Sequence, residues 1–368
     1  MNVTILGGSH GGYAAAADLA LAGHRVRLWR RSEKDLAPVR DGGAITLLAE
    51  GRQGVARLDR ATAEVGEALE GAEVVVVPLP ATSHDDLVKP LAGRLTGREI
   101  VLLTPGTLGT LVLARGLARA GAPLPLAFAE TGTLPYLARK TGPAAVAAPV
   151  RAANLPVGVF PASRSAVALE RIAPLFPAAR PCVDVLDAAL TNAGVVIHPP
   201  LVLVNAAAID AGRFDIHAAG TTASARRLID AVDAERMTAR RGLGYPAPHY
   251  ELATYYDEAR AAEGLYGAGA RQKVVASGLW SEVLSHEHRY VSEDVALGLT
   301  LFESAGRTAG TATPAISGLL GVFAALLGRE LTGGRALDHL GLGEFTRREV
   351  RALFDEGWQS HAWSRVIR

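Results

Sequence analysis

Short β-branched apolar runs alternate with alanine- and leucine-rich stretches of helical period through the first half of this 368-residue chain. Strands are expected at Val3–Leu6, Arg25–Trp29, Val74–Pro78, Ile100–Leu103, Leu126–Phe128 and Val157–Val159, with helices over Ala14–Ala22 and Asp86–Leu95. Unbroken runs such as Val74-Val75-Val76-Val77 suit strands covered on both faces, as in a parallel sheet. Strand and helix in alternation imply right-handed βαβ units and a doubly wound α/β domain. After Pro181 the β-rich runs end, and Asp187 to about Arg241 reads as long helices with few breaks. Further helices are expected at Ala247–Glu263, Ala296–Ala305, Ile316–Leu327 and Thr346–Asp355. Pro177 and Pro181 bracket a short connector, the expected boundary. The pattern therefore divides the chain into a doubly wound domain, 1–180, and a mainly α-helical domain, 181–368.

Composition narrows the function classes. There are 38 basic and 37 acidic side chains, a net charge of +1. Such a balance gives no electrostatic footprint for nucleic acid or an anionic membrane. A single cysteine, Cys182, excludes an intramolecular disulfide and any multi-cysteine metal site. The N-terminus runs straight into a strand, with no basic and apolar leader before it. The apolar stretch from Val195 to Ile209 is interrupted by His198-Pro199-Pro200 and is too short to span a bilayer. The expected setting is the cytoplasm.

The first strand opens into Gly7-Gly8-Ser9-His10-Gly11-Gly12, and a helix follows at once. That context is the fingerprint of a Rossmann-type dinucleotide site. Glycines give the tight turn, the close backbone approach to a pyrophosphate and the contact between helix and strand. Gly7 and Gly12 fill the first and third glycine positions, and Ser9 stands at the second, where its hydroxyl is available to a phosphate. The end of the second strand reads Leu28-Trp29-Arg30-Arg31-Ser32, with no carboxylate before Glu33. Two guanidiniums and a hydroxyl suit a 2′-phosphate, so NADP(H) is favoured and NAD(H) stays open. Pro80, in the loop after the strand from Val74, is expected beside the cofactor's ribose.

Two later segments carry candidate chemistry. Asn192 to Pro200 places His198 before two prolines, at what reads as a helix break. Arg289-Tyr290-Val291-Ser292-Glu293-Asp294 enters another helix. Arg, His and carboxylate together equip a site to reduce a C=O or C=N group beside a carboxylate. Taken singly, His198 also reads as a satisfied core histidine, and the acidic pair as a helix cap.

With these pieces in order, the chain resembles the octopine/nopaline (opine) dehydrogenase family along almost its whole length. Four stretches carry the resemblance: Gly7 to Gly12, Phe128 to Tyr136 with its Glu130-Thr131-Gly132-Thr133, Asn192 to Pro199, and Arg289 to Asp294. Ser9 departs from the family's glycine loop. The resemblance implies reductive condensation of an amino acid's amine with an α-keto acid, by way of an imine reduced by NAD(P)H. It implies His198 as general acid/base, Asp294 as its partner, Arg289 on the keto-acid carboxylate, and Thr131 or Thr133 in the cleft. The alternative is a ketopantoate- or 2-hydroxyacid-type reductase of the same two-domain plan, which usually carries a lysine on the first helix of the second domain. The region around His198 offers only arginines.

Other residues are less telling. His84 sits at the carboxyl end of the sheet, where Thr82 or Ser83 more simply start a helix, and Thr104-Pro105-Gly106-Thr107 reads equally as a nicotinamide-side loop or a plain turn. His286-Glu287-His288 has the wrong spacing for one helix face, so no metal site is assigned. Trp280 and Tyr245, Tyr250, Tyr255, Tyr256 and Tyr266 are expected to be core for the most part, with some over the amino-acid partner. The apolar helices of the second half suit a homodimer interface or their own core equally.

Overall fold

The structure is a computed structural model that describes residues 1–331 and 334–368. Its strands are β1 (Asn2–Leu6), β2 (Arg25–Trp29), β3 (Ala44–Ala49), β4 (Gly54–Arg57), β5 (Arg60–Thr62), β6 (Val74–Val77), β7 (Ile100–Leu103), β8 (Ala127–Thr131), β9 (Tyr136–Gly142), β10 (Ala145–Arg151), β11 (Leu155–Phe160) and β12 (Ala179–Pro181). Eight of them form one sheet in the order β12-β11-β8-β7-β6-β1-β2-β5. Every pair in it is parallel except β8 with β11, where Val157 faces Thr131. The fully buried Val74–Val77 and Ile100–Leu103 run side by side at its centre, as their unbroken apolar sequence requires. From β1 the chain order runs to β2 on one side and to β6 on the other. That reversal opens a crevice at the carboxyl end of β1, where open α/β sheets take their ligands.

A second sheet, β4-β3-β10-β9, covers the helix His10–Leu21. It has no counterpart among the expected elements. β3 reads Ala-Ile-Thr-Leu-Leu-Ala with alternating burial, and the apolar Leu48 on its exposed face masks the period of two. One buried carboxylate ties this sheet to the helix. Asp18 accepts from Tyr136 Oη of β9 at 2.7 Å and from both terminal nitrogens of Arg151 of β10 at 2.6 Å.

Beyond β12 the described residues form helices, turns and loops, with a two-residue pairing of Arg213–Phe214 with Glu282–Val283 as their one strand pair. The expected long helices from Asp187 to Arg241 are broken more often than their composition suggests. Separate helices cover Val185–Ala189, Ala193–Val204, Ala206–Asp210 and Ala223–Gly242. The expected helix over Ala247–Glu263 is replaced by single turns at Leu252–Tyr255 and Ala261–Glu263. Tyr250 adopts φ +51°, outside the right-handed helical region, and the His249 and Tyr250 carbonyls accept from Arg236 at 2.9 and 3.2 Å in place of helical amides. The helix Ala193–Val204 instead continues unbroken through Pro199 and Pro200, so His198 lies inside a helix and not at a break. Among the described residues, one stretch, Val185–Val204, is long and apolar enough to cross a bilayer, and 89% of it is buried within the protein.

The C-terminal helices fold back onto the first unit. Phe160 of β11 meets Phe354, Trp358 and Trp363 with ring centroids 6.2, 5.7 and 5.9 Å away. Arg119 donates to the carbonyls of Ile367 and Arg368. The two halves are thus joined by aromatic packing as well as by the chain itself.

Candidate active site

The β1 turn is built for close approach. Gly7 adopts φ +132°, and a Cβ there would fall 2.5 Å from Leu79 Cδ2. A Cβ on Gly12 would strike the Gly7 carbonyl oxygen, so helix and strand touch backbone to backbone, as the third glycine of a dinucleotide loop requires. Gly11 has room for a Cβ, whose nearest neighbour, Pro78 Cβ, would lie at an ordinary contact distance of 3.9 Å. These positions fit a pyrophosphate over the N-terminus of the helix His10–Leu21. Ser9 serves differently from the sequence expectation. Its hydroxyl oxygen accepts from Gly12 N–H at 3.0 Å and its proton goes to Pro78 C=O at 2.7 Å. It caps the helix and pins the β6 loop, and in this arrangement its proton is not offered to a phosphate.

The residues at the end of β2 sit outside the cleft lining. Arg30 folds under Gly8, whose Cβ would lie 2.7 Å from Arg30 Cδ, and pairs with Asp35 at 2.9 Å. Arg31 is exposed, 3.8 Å from Asp86. Ser32 caps the helix Glu33–Gly42 through Asp35 N–H at 3.3 Å, so its oxygen already has a structural task.

Across the cleft, the helix Ala193–Val204 presents His198 to Asp294. The distance from Nδ1 to Oδ2 is 2.7 Å. Two glycines permit it. A Cβ on Gly194 would lie 3.1 Å from Asp294 Oδ1 and 3.3 Å from His198 Nδ1, and one on Gly298 would collide with Val195. Asp294 begins a π-helical turn, Asp294–Leu299, a distortion common where a helix aims side chains at a site. Burial pushes the Asp294 carboxyl up to about 7, while Arg289 and His288 draw it down. Asn192 caps the His198 helix through Gly194 N–H at 3.0 Å and donates to Thr107 Oγ1 at 3.3 Å. That bond ties the His198 helix to the Thr104–Thr107 loop, of which Thr104 and Pro105 line the cleft.

One cleft of about 1280 Å³ brings together Ser9, His10, Gly11, Pro80, Thr133, His198, Arg289 and Asp294. Thr131 is not among them. It is fully buried, and its hydroxyl donates to Thr133 C=O at 2.6 Å, so it braces the cleft wall from behind. The Thr133 hydroxyl lies 2.6 Å from Tyr266 Oη. His84 is also buried away from the cleft, with Nε2 3.3 Å from Leu79 C=O. Trp280, Tyr255 and Tyr266 do line it, whereas Tyr245 is core and bonds Asp184.

Sequence reasoning missed His217. It lines the cleft, with Nε2 3.2 Å from Tyr290 Oη, and burial beside His198 pushes it down to about 3. Tyr290 stacks on His198 with centroids 3.7 Å apart. The segment Asp215-Ile216-His217 carries no motif that announces this.

The family model described as NAD/NADP octopine/nopaline dehydrogenase, alpha-helical domain, matches residues 181–327. An opine dehydrogenase of Arthrobacter sp. (strain 1C) is 28% identical over 359 residues, covering 95% of this chain and 98% of that one. Octopine dehydrogenase, solved with NADH and agmatine, superposes with a TM-score of 0.72 at 18% identity, covering 98% of this chain and 99% of its own. Yersinopine dehydrogenase with NADP+ bound gives 0.66 at 14% identity, again over 98% and 99%. The glycine crevice facing a histidine–carboxylate pair makes this an NAD(P)-dependent oxidoreductase of the two-unit dehydrogenase plan. Within that class, the chain is similar to the octopine/nopaline (opine) dehydrogenase family, through the helical-domain model over 181–327 and the Arthrobacter relative along nearly its whole length.

Proposed function

We propose that the protein joins the amine of an amino acid to an α-keto acid such as pyruvate and reduces the resulting imine to a secondary-amine dicarboxylate. The observation that carries this reading is the His198–Asp294 pair at 2.7 Å, facing the glycine loop across the cleft that also holds Arg289. A bound nicotinamide supplies the hydride. Arg289 presents a planar fork to the keto-acid carboxylate. Asp294 engages Nδ1 of His198, so proton exchange with substrate runs through Nε2. Protonated His198 donates to the carbinolamine oxygen as it departs as water, and Asp294 stabilises the imidazolium. Leu79, Leu134 and Ile197 line the cleft and keep bulk water from the imine.

The cofactor reading favours NADP(H), with NAD(H) second. Arg30 and Arg31 close β2, and no carboxylate stands where an NAD site usually holds the ribose diol. The pairing of Arg30 with Asp35 at 2.9 Å is what keeps NAD(H) in view.

The deciding assay follows oxidation of NADPH and NADH with pyruvate alone, then with pyruvate and a panel of amino acids. Turnover that requires an amine supports the opine reading. Equal turnover with keto acid alone supports a ketopantoate- or 2-hydroxyacid-type reductase instead. Against that second reading, the helix Ala193–Val204 carries no lysine.

A further inference from the structure

Side chains alternate along β9, and its even positions face the helix His10–Leu21. Tyr136 reaches Asp18, Ala138 is buried, and Lys140 lies with Nζ 3.6 Å from the centre of the Tyr13 ring. Asp18 is in the second half of that helix and Tyr13 in its first turn. The strand therefore delivers Lys140 to the end of the helix that meets the cofactor's phosphates. The backbone fixes it there, because Lys140 N–H donates to His10 Nδ1 at 2.9 Å.

A second cation arrives at the same ring. Arg30, from the end of β2, brings Nη1 within 3.4 Å of Tyr13 Oη. Asp35 answers Arg30 at 2.9 Å, and among the described residues no carboxylate lies within 4.0 Å of the Lys140 ammonium. Burial, and then the Arg30 charge, push Lys140 down to about 8. Two half-buried cations with one carboxylate between them repel each other, a cost that a bound anion offsets. The end of the second strand is where a Rossmann unit meets the adenosine ribose. The 2′ position of that ribose carries the phosphate that distinguishes NADP from NAD.

We infer that Lys140, reaching over from the small sheet, joins Arg30 to seat the 2′-phosphate of the cofactor and sets the preference for the phosphorylated dinucleotide. The inference rests on the cofactor reading above and assigns it to a residue outside the βαβ unit. The test is titration of NADPH and NADH separately into wild type, K140M and K140R, followed by nicotinamide fluorescence without substrate. K140M is expected to weaken NADPH about tenfold, the loss of one charge-assisted contact, and to change NADH less than about twofold. K140R is expected to hold NADPH within about threefold of wild type, because the positive charge remains. Equal weakening of both cofactors overturns the inference and moves Lys140 to the pyrophosphate. Unchanged NADPH affinity in K140M, with thermal unfolding also unchanged, overturns it too and leaves Lys140 as a cover for Tyr13. A wild type that prefers NADH overturns the cofactor reading and with it the preference assigned to Lys140, whereas the seating of the 2′-phosphate is still decided by whether K140M loses NADPH selectively.

Discussion

Arg289 is held from behind by Glu293, whose Oε2 takes Nη2 at 2.8 Å and Nε at 3.0 Å. The other oxygen of that buried carboxylate accepts Ala81 N–H at 2.9 Å, and Arg335 donates to Ala81 C=O at 2.7 Å. Ala81 follows Pro80 in the loop after β6, so one carboxylate aligns the arginine proposed for the keto acid with the loop proposed to meet the cofactor. In Glu293→Gln, the amide can keep its oxygen on Ala81 only by turning its NH₂ toward the guanidinium. The expected result is a rise of about tenfold or more in KM for the keto acid, with a smaller change in kcat and no change in dinucleotide affinity. A loss confined to kcat contradicts this positioning role.

The His198–Asp294 pair makes a different demand. His198→Ala removes the proton donor and is expected to lower kcat at least about a hundredfold, while NADPH still binds. Asp294→Asn keeps the shape but not the charge behind the imidazolium, so an intermediate loss is expected. Steady-state kinetics beside fluorescence titration separates these effects, and a His198→Ala enzyme with near-full turnover removes His198 from the mechanism.

Much of this site can be read from the chain because its key residues are punctuated. Gly7 and Gly12 stand at a strand–helix junction, and Arg289 and Asp294 share one short segment with a distinctive order. The parallel sheet is legible for a similar reason, since buried strands read as unbroken apolar runs. The small sheet is not, because Ala44–Ala49 puts Leu48 on its exposed face and Ala145–Arg151 mixes alanines with valines, so neither strand alternates apolar with polar residues. His217 reaches the cleft, and Lys140 the Tyr13 ring, by long-range placement alone, and local periodicity carries no trace of it. Ser9 and Thr131 show the converse. Their residue types fit the expected chemistry, yet the structure gives their hydroxyls to Pro78 and Thr133.

Gly12→Ala is expected to abolish dinucleotide binding and lower the unfolding temperature, because the new methyl has only the Gly7 carbonyl oxygen to occupy. Backbone cannot yield as a flexible side chain would, so the helix must move off the strand. Gly11→Ala is the control, with 3.9 Å to the nearest atom. It is expected to fold normally and to weaken only binding, through the space the pyrophosphate needs. Thermal unfolding of both variants with and without NADPH checks the contrast.

Asp18 anchors the small sheet to the first helix, and its contribution depends on pH. Burial favours the neutral acid, but Arg151, Tyr136 and Arg52 hold the carboxyl below its ordinary 3.8. A carboxyl lowered on folding stabilises the protein above its unfolded pKa, and that stability is lost as pH falls through the folded value. Removing one partner of a buried ion pair costs about 3–5 kcal/mol. The side chains of Arg52 and Arg151 stay 40% and 32% exposed, so water recovers part of the loss. Asp18→Asn is therefore expected to cost about 2–3 kcal/mol at pH 7, a discount on that range for solvent screening. Urea unfolding of wild type and variant should give a constant gap down to about pH 5, narrowing as the pH approaches 3. A gap that stays constant to pH 3, or widens on acidification, means that Asp18 is not held as a paired anion between the first helix and the small sheet.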